Sequence, residues 1–126
     1  MAANTLPKIM IVDDEPFFRA LLRDILEREG FSVAVEAVNG EDAVEKYREH
    51  RPDVTIMDIF MPVKHGIDAT MEILAFDGSA RILVCSAVGF DDEIQAALAA
   101  GARYLILKPF MAEEIVEAIN KVMADG

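Results

Sequence analysis

The sequence predicts an α/β fold: a doubly wound, five-stranded parallel sheet of strand order 2-1-3-4-5, built from five β–α units with helices on both faces. Three observations carry this. Short apolar runs alternate with longer amphipathic stretches through all 126 residues. Most of the short runs lack the apolar–polar alternation of a strand with one wet face, which is the pattern of strands covered on both sides. Parallel connections are right-handed, and for five strands this leaves few topologies and favours the stated order.

The elements follow in order. Ile9–Val12 reads as the first strand. Pro16–Glu29 reads as the first helix: Pro16 fits its first turn, Phe18, Leu21, Leu22, Ile25 and Leu26 recur at helical spacing, and Gly30 is placed to end it. Phe17 lies about 100° round from Phe18, at the flank of that apolar stripe. Ser32–Ala37 is the second strand, and Asn39-Gly40 turns the chain into a helix over Glu41–Glu49, whose opening acids suit the positive helix end. Val54–Met57 leads to a helix over Gly66–Phe76. Ile82–Cys85 leads to one over Asp92–Ala100, with Asp91 as the expected cap and Gly101 as the stop. Tyr104–Leu107 and a helix over Ala112–Ala124 complete the chain. No linker or repeat divides it, so residues 1–126 read as one domain.

Composition narrows the function classes. The chain is 53% hydrophobic and 28% charged, as in ordinary globular proteins. Its 23 acidic and 12 basic residues give a net charge of −11, shared almost evenly between the two halves, and no Lys/Arg cluster occurs. That argues against direct binding to nucleic acid. The single cysteine, Cys85, excludes an internal disulfide framework and reads as a small buried hydrophobe. No apolar run is long enough to span a bilayer, and Met1–Pro7 lacks the basic and apolar regions of a signal peptide. The expected setting is the cytoplasm. His50 and His65 read as helix-end and loop residues with no ligand partner at a recognisable spacing.

The chemistry lies at the strand ends. The first strand runs into Asp13-Asp14-Glu15, the third into Asp58, the fourth into Ser86 and the fifth into Lys108-Pro109. In such sheets ligands bind beyond the carboxyl ends of the strands, where strand order reverses, here between strands 1 and 3. Crowded carboxylates raise one another's pKa unless a cation joins them. Carboxylate oxygens with room for water suit Mg²⁺, which also neutralises an incoming phosphoryl group while a carboxylate attacks it. Lys108 supplies a second positive charge and Ser86 a hydrogen-bond donor. Any one of these residues is commonplace in a turn or cap. Their joint placement points to phosphoryl transfer onto Asp58.

These motifs make the chain resemble the receiver domains of bacterial two-component response regulators, especially the single-domain chemotaxis regulators. The resemblance rests on Ile11-Val12-Asp13-Asp14-Glu15, Met57-Asp58-Ile59-Phe60-Met61-Pro62 with Gly66, Cys85-Ser86-Ala87, and Gly101-Ala102 through Lys108-Pro109-Phe110. It covers about Lys8 to Met123. The strand order is already the known one of this flavodoxin-like, CheY-like fold and is no independent derivation from this chain. The resemblance implies phosphorylation of Asp58 by a histidine kinase or phosphotransfer domain, or slowly by small phosphodonors. It implies Mg²⁺ held by Asp14, Asp58 and the Phe60 backbone carbonyl, with Asp13 acting largely through water. It further implies Lys108 on the phosphate, a cis Pro109, and Ser86 moving toward the phosphoryl group. A downstream protein partner would then read the face made by helix 4, strand 5 and helix 5. Such a protein is a phosphoacceptor with self-phosphorylation and self-dephosphorylation, not an enzyme, and is expected as a monomer or weak dimer.

Two positions depart from the family. Most relatives carry Tyr or Phe three residues before the Lys, where this chain has Leu105, with Tyr104 one residue earlier. Adjacent strand residues face opposite ways, so Tyr104 does not replace the missing ring, and a smaller change at strand 5 is expected. Phe60 stands two residues after the acceptor, where a polar residue is frequent in relatives, and predicts slow self-dephosphorylation. Phe17 is expected beside the acidic pocket, where relatives dock the kinase's phosphohistidine domain, or else at the core's edge. An Asp-nucleophile phosphatase of the dehalogenase type is the competing enzyme reading, but it would need a second Asp at position 60. A flavodoxin-like electron carrier would meet acids where a flavin phosphate must sit. Whether the receiver stands alone or was cut from a longer regulator stays open.

Overall fold

The computed structural model describes residues 7–87 and 90–125. Expectations that touch residues 1–6, 88–89 and 126, including the chain start, lie outside the described residues. The elements are β1 (Lys8–Val12), α1 (Pro16–Arg28), β2 (Ser32–Ala37), α2 (Gly40–His50), β3 (Val54–Asp58), α3 (Gly66–Phe76), β4 (Ile82–Ala87), α4 (Asp91–Ala99), β5 (Tyr104–Lys108) and α5 (Ala112–Asp125). All strand pairs are parallel, in the order β2-β1-β3-β4-β5. The predicted fold is the observed one.

The period-2 alternation of strand side chains divides the core into two layers. Ile9 and Ile11 of β1, Ile56 of β3 and Leu83 and Cys85 of β4 pack with Leu22 and Leu26 of α1 and Ile115 and Ile119 of α5. Met10, Val12, Met57 and Val84 point the other way, against Ala43 and Val44 of α2, Ile73 of α3 and Ile94 and Ala97 of α4. Each fully buried aliphatic side chain contributes about 1.5–3 kcal/mol. Cys85 is buried as expected, and that burial pushes its thiol pKa up to about 12.

Three expectations need correction. Covering on both faces holds for the central β1, β3 and β4 but not for the edge strands: Ser32 and Ala34 of β2 and Leu107 of β5 are exposed. Of the α1 stripe, only Leu22 and Leu26 are buried, while Phe18, Leu21 and Ile25 are half-buried at its margins. Asp91 does not cap α4; it is the helix's first residue, the cap position is Phe90, and among the described residues no side chain bonds the free N–H groups there. Elsewhere the punctuation is as read: Gly30 and Phe31 return their N–H groups to Glu27 and Leu26, and Gly101 and Ala102 do the same to Leu98 and Ala97. Asn39 caps α2 by accepting from the Asp42 N–H at 2.8 Å.

The strands run further than the apolar pattern suggests. Asp58 is the last residue of β3 and pairs with Cys85, Ser86 pairs with Leu107, and Lys108 ends β5 opposite Ala87. Residues expected just past the strands are therefore held by the ladder itself, which positions them more firmly than loop attachment would.

Candidate functional site

At the carboxyl edge of the sheet, β1, β3 and β5 bring Asp13, Asp14, Asp58 and Lys108 together. The three aspartates each offer a carboxylate oxygen within 4.8 Å of the others. Lys108 reaches into the group, with its Nζ 2.9 Å from Asp13 Oδ2 and 3.4 Å from Asp58 Oδ1. The same ammonium stands 4.1 Å from the centre of the Phe18 ring.

Asp13 is buried and bonded at all four of its polar atoms. Its N–H donates to Ala37 O at 3.2 Å, and its carbonyl accepts from Arg19 Nη1 at 2.8 Å. Oδ1 accepts from the Glu15 N–H at 2.9 Å, and Oδ2 takes the Lys108 bond. Asp14 is half-buried, and among the described residues its carboxylate has no hydrogen-bond partner. Asp58 is only 7% exposed, and its Oδ2 likewise has no hydrogen bond among the described residues.

The charges do not balance. Burial, and next the Asp13 charge, push the Asp58 carboxyl up from 3.8 to about 6, although Lys108 opposes the shift. For Lys108, burial pulls the pKa down, but the Asp13 bond and the Asp58 and Asp13 charges outweigh it and the net shift is upward. Three carboxylates against one ammonium leave an excess negative charge in a partly desolvated pocket. The oxygen-only donor set and the room left at Asp14 and Asp58 fit a hard divalent cation.

The surroundings complete the pocket. A Cβ at Gly66 would overlap the Asp58 carbonyl oxygen, so only glycine lets the start of α3 approach the acceptor strand this closely. His65 caps that helix through a long 3.4 Å contact from the Ile67 N–H. Ser86 is buried, and among the described residues its hydroxyl reaches only the Ala87 carbonyl, at 3.3 Å. The Lys108–Pro109 peptide is cis. Phe60 leans on Phe90 and His65, with ring centres 4.7 and 5.1 Å apart, and is 40% exposed.

Tyr104 and Leu105 face opposite layers, as strand geometry requires. Tyr104 packs on the α1/α5 side and donates to Asp125 Oδ2 at 2.6 Å, whereas Leu105 packs on the α2–α4 side. Phe17 is 69% exposed and touches Phe18 edge-on, well outside the core. Sequence reasoning missed three neighbours. Arg19 on the Asp13 carbonyl and Phe90 beside Phe60 meet across elements, where one-dimensional spacing gives no signal. Phe18 was read as core only, and its contact with Lys108 is equally non-local.

Comparison with known proteins agrees with this geometry. Residues 9–120 match the family described as the response regulator receiver domain. The chain is 50% identical over 115 residues to the chemotaxis protein CheY of Thermotoga maritima, covering 91% of this chain and 96% of that protein. It is also 50% identical over 116 residues to CheY of Bacillus subtilis, covering 92% and 97%. Among solved structures it resembles a chain of the CheX–CheY–BeF3–Mg complex from Borrelia burgdorferi, with a TM-score of 0.91 and 32% identity over 96% of this chain and 92% of that one. The chain belongs to the response regulator receiver domain family.

Proposed function

We propose that Asp58 is the phosphoacceptor of a single receiver domain spanning this chain. The observation that carries the assignment is the Asp58 carboxylate itself: buried at the end of β3, bonded by Lys108 on one oxygen, open on the other, and clustered with Asp13 and Asp14. In the transfer, Asp58 Oδ2 attacks the phosphorus of a phosphohistidine. The new O–P bond forms as the P–N bond breaks, and the released imidazole nitrogen keeps the electron pair and takes a proton. Lys108 stabilises charge on the phosphoryl oxygens, and the Ser86 hydroxyl, so weakly engaged here, turns to donate to one of them. Asp14 and Asp58, with the Phe60 carbonyl, would hold the cation, and Asp13, whose two carboxylate oxygens already accept from the Glu15 N–H and Lys108, would act on it largely through water. Mg²⁺, when bound, supplies Lewis-acid neutralisation of the transferring group.

As a receiver the chain is a phosphoacceptor and not an enzyme with a separate substrate. Exposed Phe17, beside the pocket on α1, suits docking of the kinase's phosphohistidine domain, and the α4–β5–α5 face suits the downstream protein. The CheY relatives favour chemotaxis as the pathway. Among the described residues no helix is long and apolar enough to cross a membrane, and the likeness to CheY proteins supports a cytoplasmic setting. Incubation with acetyl phosphate and Mg²⁺ tests the assignment. One phosphoryl group should add to Asp58 and to no other residue, and Asp58→Asn should abolish it; labelling that persists in the variant would refute the reading.

A further inference from the structure

We propose that Arg19, steadied by Glu36, is a positioning residue for the divalent-cation site; the proposal rests on the reading that the three aspartates hold such an ion. One side chain and its own backbone pin both ends of the segment that carries Asp14. The Arg19 N–H donates to Glu15 O at 3.1 Å, and its Nη1 donates to the carbonyl of buried Asp13 at 2.8 Å. Asp13-Asp14-Glu15 is thereby closed between two bonds from one residue. Asp14 has no side-chain bond of its own among the described residues, so its direction depends on how firmly that segment is held.

The guanidinium is oriented from behind. Arg19 Nε donates to Glu36 Oε1 at 3.2 Å, while Arg23, one helical turn on, donates from Nε to Glu36 Oε2 at 2.5 Å. The Glu36 backbone carbonyl accepts from Lys46 Nζ at 2.8 Å, and Glu36 pairs with Ile11 in the β1–β2 ladder. Arg19 is 18% exposed and Glu36 27%, so the pair is shielded from most solvent competition. A planar fork bonds a carboxylate and a carbonyl together, which the point charge of lysine does not. Groups that orient the ligands of a metal typically change its affinity by 10–100-fold when removed.

The test measures Mn²⁺, a spectroscopically visible relative of Mg²⁺, by the resonance signal of the free ion, alongside the urea midpoint of each protein. Arg19→Ala should bind Mn²⁺ about tenfold more weakly. Arg23→Ala, which loosens Glu36 without touching Asp13, should lower the urea midpoint comparably yet keep affinity within about twofold. Arg19→Lys, retaining one donor for the Asp13 carbonyl, should recover part of the loss. Wild-type affinity in Arg19→Ala, an equal loss in Arg23→Ala, or no recovery with lysine overturns the proposal. Should Arg19→Ala fail to fold, Arg19→Met, which keeps the apolar stem and removes the guanidinium, takes its place: weaker binding supports the clamp and wild-type affinity overturns it. An unmodified chain that takes up no Mn²⁺, or an Asp14→Asn chain that binds it as well as wild type, instead overturns the reading of the site itself.

Discussion

The two flanks of the acceptor pocket are built to different standards of rigidity. On the β1 side, Asp13 is bonded at every polar atom, and Lys108, reaching in from β5, ties it to Asp58. On the β4 side, among the described residues Ser86 makes one long bond to its neighbour, α4 follows Phe90 without a side-chain cap, and Phe60 and Phe90 lie half-open to solvent. The difference assigns tasks. A cation and a phosphoryl group need fixed oxygens, because small misplacements of reacting atoms are costly. A signal needs an element whose bonds in one state are weak enough to be exchanged for others. On the proposed function, the stiff flank is the one that would coordinate and the loose flank the one that would report.

Breaking the stiff flank should have the largest effect. Lys108→Ala leaves buried Asp13 and Asp58 facing each other without their shared ammonium, at a cost of about 3 kcal/mol at neutral pH, measured by urea unfolding without divalent ions. Mg²⁺ should restore a good part of that stability, since the lost charge is replaced in place.

The intact pocket should show a smaller, pH-dependent version of the same strain. The Asp58 carboxyl titrates near 3.8 when unfolded and is raised to about 6 when folded, first by burial and then by Asp13. Between those values the folded chain holds more protons than the unfolded one, so stability falls as pH rises from about 4 to about 6, then levels with respect to this group. Asp58→Asn should remove this component of the slope, and saturating Mg²⁺ should flatten it. An unchanged slope in both cases would mean that the carboxylates are not the strained group.

The fold and the stiff flank were legible in the sequence because they depend on strand order and strand ends. Alternating elements point to the sheet, the switch-point rule to Asp13, Asp14 and Asp58, and the reading of strand ends to Lys108. What was not legible depends on side chains from different elements meeting. Nothing in the spacing of Arg19 along α1 announces Glu36 on β2 or the Asp13 carbonyl. Phe90 lies 30 positions from Phe60 in the chain yet within ring contact of it. Asp91 fitted the residue preference of a cap, but the local backbone places it one position inside the helix, where it complements the positive end instead. Edge exposure of β2 was hidden because its Val and Ala residues read as buried in any strand order.

On the loose flank the effects should be kinetic. Phe60 stands two residues past Asp58 and packs against Phe90 and His65, and the expectation to be tested is that its ring slows the approach of water to a phosphoryl group there. Phe60→Asn should speed phosphate loss severalfold, under about 1.4 kcal/mol in barrier, with no comparable change in Mn²⁺ affinity. An unchanged rate would show that the ring only packs against its loop neighbours and leaves the water's path open.

The smallest effect is expected on the far side of β4, at Tyr104 and Leu105. Leu105 faces the α4 layer but is aliphatic, and Tyr104 faces α5 with its hydroxyl already bonded to Asp125. Neither offers a ring that can swing into space vacated by Ser86, because their directions along β5 are set by the ladder with Leu83 and Val84. Beryllofluoride, as a phosphate mimic, should therefore change amide-exchange protection more around Ser86 and the start of α4 than along β5. A large change centred on Tyr104 and Leu105 would refute this, and would mean that β5 itself shifts register or twist when the acceptor is loaded.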